Sequence, residues 1–166
     1  MNAQDVLKYG HLTVLRAAEG LDDAHWDTPN VCGVWSVREI VAHLASFEHV
    51  LVAVLESLLD GPVTAPIVER IASDPQRFND DEVARRAGMG PRQVLDEYRE
   101  TQAQTASLLA HIPLDRRREP GLLSWYGPEY DLEDFLAYSY YGHKREHCAQ
   151  INVFRDLLKE QQKAGG

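Results

Sequence analysis

The stretch Tyr140-Tyr141-Gly142-His143-Lys144-Arg145-Glu146-His147 sets two histidines four residues apart. On a helix that spacing turns both imidazoles to one face, within reach of a single ion. A second stretch, Trp35-Ser36-Val37-Arg38-Glu39-Ile40-Val41-Ala42-His43-Leu44, carries another histidine about a hundred residues earlier. Its Ser36-Val37-Arg38-Glu39 fits a capping box, in which serine and glutamate satisfy the orphan amide donors of a helix start. At helical spacing Ile40, His43, Phe47, Val50, Leu51, Val54 and Leu58 share one stripe. Leu136, Tyr140, His143, His147, Ile151 and Phe154 share another. Each histidine thus lies on the apolar face of a long helix, where an unpaired imidazole is costly. Packed side by side, the two helices would bring three imidazoles together and leave part of an ion's coordination sphere open. That opening separates a reactive metal site from a structural one.

Two more long helices are legible outward from these. The first runs from about Ala3 to Ala18, stopped by Gly20, with Val6, Leu7, Val14, Ala17 and Ala18 inward. The second capped helix continues to about Leu59, where Asp60-Gly61-Pro62 ends it. Residues 61 to 90 are broken by Pro62, Pro66, Pro75, Gly88 and Gly90 and predict a crossover with short helices near Pro66–Ser73 and Asp80–Ala87. The third long helix opens at Gly90-Pro91 and reaches about His111, with Gln102 and Thr105 interrupting its inward face. These two could approach a wet centre or sit at a helix margin. After a loop from Ile112 to Tyr130, Asp131 caps the fourth helix, which runs to about Lys159, leaving a frayed tail over Gln161–Gly166. The pattern predicts an all-α protein: a four-helix bundle with a long crossover between helices two and three, in one domain over residues 1–166.

The composition, 44% hydrophobic and 26% charged, is that of a globular protein. No apolar run reads as a membrane span and no basic-then-apolar leader opens the chain, so a soluble, cytoplasmic protein without a membrane partner is expected. With 17 basic against 26 acidic residues the net charge is −9. No basic stripe is visible, so nucleic acid is not expected as a partner. Cys32 and Cys148 form no CxxC pair, which argues against a disulfide framework and a cysteine zinc module. Cys148 reads as a small buried residue.

Three neutral imidazoles would leave a divalent ion its full charge, able to activate water or a thiol. Zinc is the first choice, with nickel or iron(II) also suited to imidazole nitrogen. Proton transfer needs a further group. Glu48, at the edge of the inward stripe, is the catalytic candidate, though a surface carboxylate is its plainer reading. Tyr140 and Trp125 are the substrate-binding candidates, against ordinary packing and loop-anchoring roles. Asn79 reads as a helix cap, Trp35 as a hydrophobic staple, and His49 as solvent-facing. His11, His25, His49 and His111 read as non-ligands.

The two histidine stretches resemble the second- and fourth-helix signatures of the DinB-like (DinB/YfiT) superfamily, and the likeness extends over almost the whole chain. It implies a four-helix bundle of unusual connectivity, a divalent metal on His43, His143 and His147, and a homodimer. Relatives include metal-dependent enzymes acting on small molecules, among them S-transferases and isomerases that use low-molecular-weight thiols, and hydrolases. Nothing in the residues selects between these activities. A non-catalytic bundle that sequesters a metal or small molecule fits the same histidines, and a helical interaction protein with merely buried histidines is a third reading.

Overall fold

The computed structural model describes residues 2–60 and 65–164, and these contain helices and no strand. The expected stop at Gly61-Pro62 lies outside the described residues. Helix α1 spans Ala3–Ala18 and starts where Asn2 accepts a hydrogen bond from the Asp5 amide at 2.9 Å. Helix α2, Val37–Asp60, opens on the capping box: the Ser36 amide donates to Glu39 at 2.8 Å, and the Glu39 amide to Ser36 Oγ at 3.3 Å. The crossover forms α3 (Pro66–Ser73) and α4 (Pro75–Arg85). Helix α4 begins earlier than its sequence suggests, because Asp74 caps it by accepting from the Arg77 amide at 3.0 Å. Asn79 therefore lies inside the helix and is no cap.

Helix α5 spans Pro91–His111. The single turn α6, Leu114–Arg117, carries Arg117 back to the end of α5, where it donates to Leu109 O at 2.8 Å and Ile112 O at 2.9 Å. Orphan carbonyls at a helix C-terminus are thereby satisfied. The last rod has three parts: α7 (Leu132–Leu136), a π-helical segment over Ala137–Gly142, and α8 (His143–Ala164). The expected frayed tail is helical through Ala164.

Helix α2 packs most extensively on α5, and α1 on α8 with the π segment. The bundle is thus two helix pairs, and α2 meets α8 only over a short stretch at the seam between them. Apolar clusters fill both ends. One holds Leu7, Leu51, Leu55, Leu109 and Leu136; the other holds Val14, Ile40, Leu44, Val94 and Ile151. Between them, at mid-height on every long helix, lies a polar layer.

One sequence expectation about membranes needs correcting. The segment Val37–Leu59 is long and apolar enough to cross a bilayer, with mean hydropathy 1.4. It is mostly buried by its neighbours because it is the central core helix, covered on several sides and therefore apolar nearly all round.

Candidate metal centre

Three imidazoles meet at the seam. His43 Nε2 lies 2.9 Å from His143 Nε2, which in turn lies 3.0 Å from His147 Nε2. His43 comes from the buried face of α2, while His143 and His147 come from the first turns of α8. The π segment ends directly before His143. A π turn inserts residue into the helical ladder and re-phases the side chains that follow. The buried stripe consequently runs Leu136, Tyr140, Lys144, His147 and Cys148, and His143 flanks it half-buried.

Burial holds all three imidazoles neutral. It lowers His43 to about 2, with repulsion from protonated His143 and His147 adding to the effect. Burial, then His147 and Lys144, lower His143 to about 3. Burial also lowers His147, against opposing contributions from Gln150 and Glu146. Gln150 Oε1 accepts from His147 Nδ1 at 2.9 Å, so that nitrogen carries the proton and Nε2 presents a lone pair.

These contacts frustrate one another as hydrogen bonds. His143 Nε2 faces two nitrogens, and a single proton there serves only one of them. A shared cation satisfies all three lone pairs. Nitrogens bonded to one tetrahedral zinc at about 2.0–2.1 Å lie about 3.4 Å apart, so the two short contacts of His143 need to open by only a few tenths of an ångström. Its candidate donor atoms all lie within 4.8 Å of one another, and it is the one such cluster found among the described residues. The grouping can hold a metal ion. Against a complete supporting shell, His43 Nδ1 is buried with no partner.

Aromatic side chains wall the trio. Trp35 packs 4.9 Å from His43 and 6.4 Å from His147, centroid to centroid. Phe47 packs 4.8 Å from His43 and 4.5 Å from His143. Trp35 reaches the site because the loop before α2 closes on itself, with Trp35 N donating to Cys32 O at 2.9 Å and Cys32 N to Trp35 O at 3.1 Å. That wall was missed in the sequence, where Trp35 reads as a staple. Only its adjacency to the Ser36 cap hinted at a position near His43.

The other candidates fall in different places. Glu48 is neither at the surface nor hydrogen-bonded to an imidazole. It is 0% exposed, pairs with Lys144, and accepts from Thr105 Oγ1 at 3.0 Å. The surface expectation fails because α5 and α8 both cover that side of α2. Thr105 turns inward to this pair. Tyr140 is buried and donates its hydroxyl to Phe47 O at 3.2 Å, so it touches the aromatic wall. Trp125 is 48% exposed and packs edge-on to Phe135 at 5.5 Å. His49 is half-buried and pairs with Glu97 at 2.9 Å, instead of meeting open solvent. His11 stacks on Tyr98 with centroids 5.5 Å apart. Cys148 is buried, and burial raises its thiol to about 12.

Fold and site together define an all-helical DinB-like bundle with a three-histidine cluster at its seam. The chain belongs to the mycothiol maleylpyruvate isomerase N-terminal domain family, whose pattern matches residues 10–135. That span includes His43 and ends before His143 and His147. No curated protein is significantly similar in sequence. Two solved structures share the architecture. DfsB, a sibling lethal factor precursor, superposes with a TM-score of 0.77 at 14% identity, covering 94% of each chain. The colibactin self-resistance protein ClbS, in complex with a double-stranded DNA, superposes with a TM-score of 0.76 at 11% identity, covering 92% of this chain and 93% of that one. At these identities the likeness is one of fold.

The expectation that nucleic acid is no partner is corrected in its ground: a protein of this fold, ClbS, is solved in complex with double-stranded DNA, so the fold does not exclude such a partner. The physical error was to read partners from a chain-wide sum. Phosphates respond to the local field, which a net charge of −9 does not describe; the surface cleft of about 610 Å³ mixes Arg16, Arg92 and Arg99 with Glu19 and Asp23.

Proposed function

We propose that this protein is a metal-dependent enzyme acting on a small molecule, with a divalent ion held by His43, His143 and His147. One observation carries the reading: three neutral imidazole nitrogens converge from two helices, and no fourth protein donor joins them among the described residues. Zinc is the ion we assign first, with nickel and iron(II) as alternatives. When bound, such an ion supplies Lewis acidity to a thiol or a water.

The chain's own residues do the rest. Gln150 fixes the tautomer of His147. Trp35 and Phe47 keep bulk water from the rings, and Tyr140 holds the Phe47 backbone in place. The family's name joins a low-molecular-weight thiol to an isomerase, which favours thiol-dependent chemistry over hydrolysis. Two free cysteines accord with a cytoplasmic location.

The test is metal content after purification, for wild type and for His143→Ala and His147→Ala. Retention of equal metal in both variants removes the proposal. Turnover of a thiol with an electrophile, or of simple esters and amides, abolished by chelation, supports an enzyme. A metallated protein that turns over none of these is a sequestering bundle instead.

A further inference from the structure

The polar layer contains a second cluster that the metal reading does not use. Lys144 follows His143 directly and is 1% exposed. Its ammonium meets the carboxylate of Glu48 on α2, and neither Lys144 Nζ nor Glu48 Oε1 has a further hydrogen-bond partner. The ammonium also lies 5.6 Å from the ring centre of Tyr98 on α5. Thr105, another α5 residue, donates to the second Glu48 oxygen at 3.0 Å.

The alkyl stem of Lys144 runs past α1 at Gly10. A Cβ at that position would lie 3.3 Å from Lys144 Cδ and 3.5 Å from a ring carbon of Tyr141. Glycine inside a helix costs about 1 kcal/mol relative to alanine, and here it opens the slot that the lysine fills. One side chain therefore touches all four long helices at mid-height.

This arrangement is a poor device for stability. Desolvating both charges offsets most of their attraction, and well-packed apolar replacements of such pairs are often neutral or stabilising. It is a good device for phase. The π segment re-phases the start of α8, and the residue that follows the first histidine there is this lysine. Because α2 and α8 otherwise meet over a short stretch, an ion pair needing one rotation of α8 selects that rotation.

We infer that Lys144 and Glu48 are positioning residues: their buried pair fixes the rotation of α8 against α2 that turns His143 and His147 toward His43. The inference rests on the trio being a metal site, and the experiment separates the two. Cobalt(II) is titrated into metal-free wild type and into the double variant Glu48→Gln/Lys144→Met, with uptake and the visible ligand-field spectrum as readouts. Melting temperature is recorded alongside.

The expected result is a double variant that melts no lower than wild type, binds cobalt at least about tenfold more weakly, and shows an altered spectrum, a loss in the range typical for outer-shell changes. A folded double variant with wild-type affinity and spectrum overturns the inference and leaves the metal site standing. A wild type that takes up no cobalt overturns both. If the double variant does not fold, Gly10→Ala carries the test with every charge in place. There an affinity loss of more than about twofold supports the inference, and affinity within about twofold of wild type overturns it.

Discussion

Two buried polar regions flank α2, and they are built differently. On the crossover side, Arg86 donates to both Glu97 oxygens at 2.9 and 2.8 Å and to Glu82 at 2.8 Å. Arg70 reaches Glu82 at 2.8 Å, and His49 reaches Glu97 at 2.9 Å. No buried side-chain atom of this network is left without a partner. In the central layer His43 Nδ1, His11 Nδ1 and Tyr98 Oη have none, and Lys144 and Glu48 depend on each other. A bundle needing only cohesion would complete the second region as it completes the first. Orphaned atoms also occur away from the trio, at Asn79 Oδ1, Arg38 Nη1 and Arg117 Nη1; what sets the central layer apart is that its orphans lie beside three mutually frustrated imidazoles.

The largest expected effect that separates the regions is on metal. His147→Ala or His143→Ala is expected to lower affinity by at least about a hundredfold, since each removes a primary ligand. Calorimetric titration checks this, and melting of the metal-free variants is expected to change little. Next comes Arg86→Ala, expected to cost about 3 kcal/mol in urea unfolding while leaving metal affinity unchanged. That is the lower end for a broken buried pair, because Arg70 still reaches Glu82. A matching loss of metal would show that the two regions are coupled. Gln150→Leu is expected to lower metal affinity about tenfold, because His147 loses the acceptor that fixes its tautomer.

A pH experiment sharpens the comparison further. Burial alone would raise the Glu97 carboxyl, but hydrogen bonds and charge from His49 and Arg86 hold it at about 2. A carboxyl depressed on folding stabilises above its unfolded value of 4.5 and loses that contribution as pH falls toward about 2. Urea unfolding of wild type should therefore weaken between about pH 5 and 2 more steeply than that of Glu97→Gln. The smallest effect is expected for Trp125→Ala: about 1–2 kcal/mol in stability from lost packing on Phe135, with metal content unchanged. Its value is as a control, since any change in substrate KM then reports contact with a ligand.

Legibility in the sequence followed locality. The Ser36–Glu39 box, the Asp131 cap, Pro66 and Pro91 at first helical positions, and Gly20 after α1 all act through neighbours in the chain, and each appears where its chemistry requires. The histidine trio was also legible, because helical periodicity put each ring on an apolar face. The π segment was not. Ala137-Tyr138-Ser139-Tyr140-Tyr141-Gly142 reads as continuous helix, and its packing on α1 is not visible in any local pattern. The same holds for Glu48 and Lys144, which their charge assigns to the surface until a partner covers them.

The sequence by itself determined four amphipathic helices and the faces on which three imidazoles stand, since capping and periodicity are properties of a single segment. Tertiary structure alone decided that those faces converge, that Trp35 and Phe47 close over them, and that a lysine and a glutamate share the core. Burial and pairing depend on which distant segment arrives opposite, and no local pattern encodes that arrival.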